Sequence, residues 1–315
     1  LNTVVHPGFH IQNAVSNAFQ SFLGVGVDAF NVKRIKLSRQ ILESGDPKQV
    51  VKLGGKEYTH QQLRHIAMES RVLDNTFFNK DVTTKVYDFP LYSAGTKVGT
   101  TIEGTQRMNL FLSFMDRGMS PAEAVEGVNK FLFDYGALTD FEKKVMKRII
   151  PFYSFMRKNI PLELEMFVEQ PNTYKLIEKF FTNVEKQTEG EYIPENYRHE
   201  MRQEHITLPW TMEGDTYGIS DQLPHNQLDR VFDLRKMLGQ TSPVIKTPIE
   251  VMTGKYTYTD VPIDGAGDYL ANQIFPSKLV NMSMKKDEGA ERQAYIAGQL
   301  LGFPIQKIKK NPEEW

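Results

Sequence analysis

The chain has 315 residues, 40% hydrophobic, 11% aromatic and 24% charged, with a formal charge of −1, a composition that excludes a disordered polypeptide and allows a sizeable core. Near-neutral charge gives no global case for nucleic acid or membrane, so any such contact must come from local patches. The lack of cysteine removes disulfides, thiolate catalysis and cysteine-based zinc sites together, and fits a reducing compartment or a particle assembled in cytoplasm.

The chain opens on Leu1 without a basic region followed by a compact apolar run, so a secretory signal is not expected, and an internal piece or processed product of a longer polypeptide is. No run of about 18 apolar residues suggests an ordinary transmembrane helix. Residues 1–27 hold no Asp, Glu, Lys or Arg, yet are interrupted by Asn13, Asn17, Gln20 and Ser21. A helix packed against other protein and a helix in transient membrane contact are both compatible with that pattern.

Phe9, Ile11, Val15, Phe19 and Leu23 predict a helix over Gly8–Leu23, closed by a left-handed Gly24. A second helix is expected over Val27–Ser44, with Asp28 near its start. Lys33, Arg34, Lys36 and Arg39 make it basic, either as a solvated face or as a contact for phosphate or an acidic partner. Gly54 and Gly55 between short apolar flanks predict a hairpin over Val50–Tyr58, and Thr59 caps a helix to about Leu73. Residues 75–97 read as an irregular, aromatic-anchored connection, followed by a helix over Val98–Arg117 with the apolar centre MNLFLSFM and a stop at Gly118. Ser120, Pro121 and Glu123 then carry a cap, a proline at the first helical position and an acid at the third, starting a helix to about Asp134.

Residues 133–171 are expected to form a long, kinked helical element. Thr139 and Glu142 have capping-box spacing, and Phe141, Val145, Ile149 and Phe152 predict its buried face. Pro151 and Pro161 predict two bends or breaks. Lys143, Lys144, Lys147, Arg148, Arg157 and Lys158 are six positive charges with no acid among them, and Glu163, Glu165 and Glu169 follow. They are either a solvated face or a surface that meets DNA or an acidic partner. A further helix runs from Pro171 to about Thr188.

Beyond Glu189 proline and glycine become frequent. A small hairpin is expected from Ile206–Trp210 and Thr216–Ile219, and short helices at Gln227–Leu238, Pro243–Thr253, Pro276–Lys285 and Glu291–Leu301. The predicted fold is mainly α: an extended, segmented multi-helix assembly with one or two small β-hairpins. It divides softly into a helical region, 1–188, and a mixed region, 189–315.

Few motifs point to chemistry. His6 with His10, and His199, Glu200 and His205, lack the HExxH arrangement of a helical metal site. Gly95, Gly99 and Gly104 lack the ending of a phosphate loop, and Gly24 with Gly26 lacks the spacing of a dinucleotide loop, so no cofactor is expected. Glu43-Ser44 and Glu69-Ser70 resemble the Glu-Ser pair of lytic transglycosylases without that family's following segment.

Asp134-Tyr135, Leu138 to Glu142 and Pro151 to Asn159 together resemble a segment of large virion-associated polypeptides of tailed bacteriophages, a group that includes internal, ejection and polyvalent proteins. HPGFHIQN within Asn2–Asn17 and SPVIKTPIEVMTGK at Ser242–Lys255 are similar to further parts of the same pattern, in the same order. The resemblance implies a structural, oligomeric virion protein near the portal or tail. Such a protein is assembled in host cytoplasm, contacts portal, tail or core proteins and phage DNA, and is ejected with the genome. It implies no catalytic residue. A tape-measure or tail-lumen protein and a peptidoglycan-cleaving ejection module are the alternatives.

Overall fold

The computed structural model describes residues 7–43, 45–73, 90–136, 138–150, 153–186, 205–212, 215–220, 224, 243–257, 262–263, 265, 267, 269 and 305–308. Over these residues the fold is mainly α, with two small antiparallel sheets. The chain forms two compact units, Leu1–Leu138 and Thr139–Trp315. The composition change near 189 falls outside the described residues.

The first unit is built around the helix Pro90–Asp116. α1 (Pro7–Val25) leads into a 3₁₀ turn (Gly26–Phe30) and α2 (Val32–Leu42). β1 (Val50–Leu53) and β2 (Lys56–Thr59) form the expected hairpin, and α3 (His60–Glu69) follows directly. α4 (Pro90–Asp116) and α5 (Pro121–Phe131) complete the unit. Met108, Leu110, Phe111, Leu112, Phe114 and Met115 are all buried; consecutive apolar residues cover every side of a helix, so this segment has neighbours all round. Those neighbours are α1, α2, α5 and β1.

The start signals act as the sequence implies. Thr59 and Ser120 each form a reciprocal capping box, with Gln62 and Glu123 respectively. Gly118 adopts φ +88 just beyond α4, a conformation that excludes most side chains and stops the helix. Gly24 does not cap α1, which runs on to Val25; Gly26, at φ +61, makes the turn. Gly24 instead lies against Phe131, whose Cδ2 would be 2.8 Å from an added Cβ, so it is small in order to let α5 approach. The expected helix from Val27 is likewise divided. Asp28 sits in the 3₁₀ turn, and Asn31 caps α2 by accepting from the amides of Lys33 and Arg34. The irregular connection expected over 75–97 gives way to helix from Pro90, consistent with proline at a helix start; residues 75–89 lie outside the described residues.

α1 packs against protein, with Leu23 and Val25 buried. Its polar residues join that packing: Asn17 donates to Gln106 Oε1 at 3.1 Å, and Gln106 donates to the Ala14 carbonyl at 2.7 Å. No described helix is long and apolar enough to cross a membrane.

In the second unit a π-helical turn (Glu142–Met146) continues into the short α6 (Lys147–Ile149). Ile150 is extended, as the residue before Pro151 must tend to be. α7 (Tyr153–Glu169) and α8 (Pro171–Lys186) follow. The expected break at Pro161 does not occur: α7 passes through it, losing one amide donor but not the helix. β3 (His205–Met212), β4 (Asp215–Ser220) and β5 (Ile305–Ile308) form a three-stranded sheet in that order, with α8 packed against β3. α9 (Pro243–Thr253) matches the expected helix. The helices expected at 227–238, 276–285 and 291–301 lie outside the described residues.

Candidate functional site

The segment that carries the resemblance is organised around Glu142. Its Oε2 accepts from the Thr139 amide and hydroxyl, both at 2.8 Å, and its own amide donates to Thr139 Oγ1 at 3.3 Å, completing the predicted capping box. Its Oε1 accepts from the Tyr153 hydroxyl at 3.1 Å and pairs with the Arg157 guanidinium. Thr139, Glu142, Tyr153 and Arg157 therefore form one cluster, tying the start of the π turn to the first turns of α7. The Thr139 hydrogen bonds, aided by Tyr153 and Arg157, hold the Glu142 carboxyl down to about 2. Two residues on, Asn159 is fully buried and donates to the Pro224 carbonyl at 2.9 Å.

The π turn revises the predicted faces. The Lys147 amide donates to the Glu142 carbonyl, five residues back, so side chains beyond it lose the phase of an α-helix. Glu142 is buried, whereas Phe141 is 62% exposed and Val145 is exposed as well. Of the expected apolar face, Phe141 and Val145 thus stand exposed beside cations, Ile149 is half-buried, and Phe152 lies outside the described residues.

The predicted contact residues are sorted by this geometry. Lys143, Lys144 and Arg148 are exposed and form no ion pair among the described residues. Lys147 and Lys158 are half-buried. Arg157 is committed to Glu142. On α2, Lys33 and Lys36 are exposed. Arg34 is held by Asp116 at 2.6 Å and Ser113 at 3.0 Å, and Arg39 by Glu43 at 2.8 Å. Arg34 and Arg157 are thus tied to residues distant in sequence and Arg39 to an exposed neighbour on its own helix, leaving Lys33, Lys36, Lys143, Lys144 and Arg148 as exposed cations without an ion pair among the described residues.

Downstream, the expected acidic stretch is not all surface. Glu165 and Glu169 are exposed, but Glu163 is fully buried and accepts from the Tyr174 hydroxyl at 2.6 Å. Burial pushes the Glu163 carboxyl up to about 7, against the lowering effect of Tyr174. Glu250, also buried, gathers the Thr257 amide and hydroxyl at 2.8 and 2.7 Å and the Tyr269 hydroxyl. Burial works to raise its carboxyl, but those hydrogen bonds hold it below its ordinary value. Neither carboxylate carried a sequence signal beyond its residue type.

One face of α7 is largely exposed, its Phe167 ring meeting Tyr174 edge-on at 5.5 Å. Leu164, Phe167 and Val168 are 46%, 56% and 78% exposed, at the i, i+3, i+4 spacing of a single stripe. Leu162, Glu163 and Met166 fill the buried side. Among the described residues no group of three or more His, Cys, Asp and Glu gathers as a metal site; His6, His199 and Glu200 lie outside them. Of the Glu-Ser pairs, Glu43 is paired with Arg39, and Ser70 caps α3 by donating to the Ile66 carbonyl at 2.6 Å. Comparison with protein families, curated proteins and solved structures finds no match for this chain.

Proposed function

We propose that this chain is a structural protein of a tailed-phage particle, carried inside near the portal or tail, packed against copies of itself and other virion proteins, and delivered with the genome. The resemblance motivates the reading, and the exposed stripe of Leu164, Phe167 and Val168 carries it. An apolar helix face rimmed by polar residues is a protein-contact surface in most settings. The motif residues support the same reading, because Thr139, Glu142, Tyr153 and Arg157 satisfy one another as a joint. Lys143, Lys144 and Arg148 supply a short basic surface suited to phosphate or an acidic partner wall.

The test is sedimentation of the full chain, alone and with portal and tail proteins, together with duplex DNA binding across a salt series. Concentration-dependent association weakened by Phe167→Asp is expected. So is DNA affinity whose salt slope falls by about 1 for each phosphate-contacting cation removed among Lys143, Lys144 and Arg148. A compact monomer without affinity for itself, these proteins or DNA contradicts the proposal.

A further inference from the structure

In the first unit, α1, the 3₁₀ turn, α2 and α4 leave a groove of about 670 Å³, within the size range of small-molecule sites. It exists because facing positions are small. Ala18 and Ala29 lie opposite a helix that presents Thr101 and Thr105, whose hydroxyls donate to the Lys97 and Thr101 carbonyls at 2.8 Å each. Ile35 and Ile102 line the walls, and Phe30 and Val98, about half exposed, stand at the mouth.

Two polar groups in this lining are buried without partners. Ser21 and Asn109 are each 4% exposed, and neither Ser21 Oγ nor Asn109 Oδ1 has a hydrogen-bond partner among the described residues. The Asn109 amide is oriented by its Nδ2, which donates to the Ala29 carbonyl at 2.9 Å, so the orphaned atom is an acceptor. Leaving such groups unpaired is costly in a packed interior. The lining therefore asks for a ligand that donates to Asn109 and exchanges a hydrogen bond with Ser21.

We propose that this groove binds an uncharged amphiphile, an apolar body with a hydroxyl at its buried end. A hydroxyl is both donor and acceptor and matches both groups. A carboxylate places negative charge against the Asn109 carbonyl oxygen and loses its hydration. The charged groups lining the groove do not reverse this preference, since Arg39 and Glu43 neutralise each other at 2.8 Å, leaving exposed Lys97.

Calorimetric titration of the full chain with 1-octanol, its isomer heptyl methyl ether and octanoate tests the site. Octanol is expected to bind saturably. The ether, which cannot donate, is expected to bind about tenfold more weakly, as for one lost hydrogen bond, and octanoate more weakly than octanol. Ser21→Ala should narrow the alcohol-to-ether ratio while ether binding persists, which also shows that the variant is folded. Ala18→Phe should block both ligands. Absence of saturable octanol binding, equal affinity for alcohol and ether, or an ordered water bridging Ser21 and Asn109 that octanol does not displace overturns the proposal.

Discussion

The Tyr174 hydroxyl donates to Glu163 Oε2 at 2.6 Å, while Glu163 Oε1 is buried with no hydrogen-bond partner among the described residues. Joining α7 to α8, this pair contains a carboxyl raised to about 7 by burial. A raised carboxyl favours the protonated fold, so its contribution is complete below the unfolded value near 4.5 and is lost as pH rises through about 7. The loss between pH 5 and 8 is on the order of 3 kcal/mol. Urea unfolding followed by hydrogen exchange in α7 and α8 should show this decline. Glu163→Gln should flatten it, and Tyr174→Phe should steepen it by removing the hydroxyl that stabilises the anion. Stability in these helices that rises over that range contradicts the assignment.

Glu142 has the opposite sign. Its carboxyl is held down to about 2, first by the Thr139 hydrogen bonds, so its contribution is present above 4.5 and fades as pH falls through about 2. Thr139→Ala should selectively raise amide exchange over residues 140–149 at neutral pH. Arg157→Ala should loosen the start of α7 as well. If the two variants leave exchange there unchanged, the cluster does not join these segments.

Arg107 is the buried clasp of the first unit. It is fully buried, pairs with Glu103 at 3.2 Å and donates to the carbonyls of Leu132 and Phe133 and, at 3.4 Å, of Val72. Phe133 adopts φ +55, unusual for a bulky residue, and the guanidinium helps hold that turn. Arg107→Ala should cost about 3 kcal/mol or more in denaturant unfolding. Little change in the unfolding midpoint sinks this account.

Two glycines should respond in opposite directions to alanine. A Cβ on Gly127 would lie 2.6 Å from Phe114 Cε2, so overpacking of about 1–3 kcal/mol outweighs the gain of about 1 kcal/mol in helix preference. Gly104 would meet only Leu42 Cδ1, at 3.9 Å, so Gly104→Ala should stabilise by roughly 0.5–1 kcal/mol. Thermal unfolding of both variants checks the sign.

Local chemistry was legible where the deciding groups lie within one turn: the Thr59, Ser120 and Thr139 caps, the Gly54-Gly55 hairpin and the Gly118 stop all follow from neighbours in sequence. Phe141 and Val145 share one face at i, i+4 spacing, but that face is exposed, because which side of an amphipathic segment is covered is set by its tertiary neighbours and not by its period. Arg34 and Arg157 read as contact residues because their acidic partners, Asp116 and Glu142, are set by folding, whereas the Arg39–Glu43 pair follows from i,i+4 spacing. Glu163 looked like surface charge because its burial, too, is set by folding. The groove depends on Ser21 and Asn109, which lie 88 positions apart in the chain, beyond any periodicity.

The proposed virion role is tested most directly by quantitative mass spectrometry of purified particles of the encoding phage, intact and after genome release. The account predicts that peptides from this chain, including those spanning Thr139–Glu169, are present in intact particles and depleted from emptied ones. Their absence from intact particles, with the chain confined to the infected-cell fraction, contradicts it.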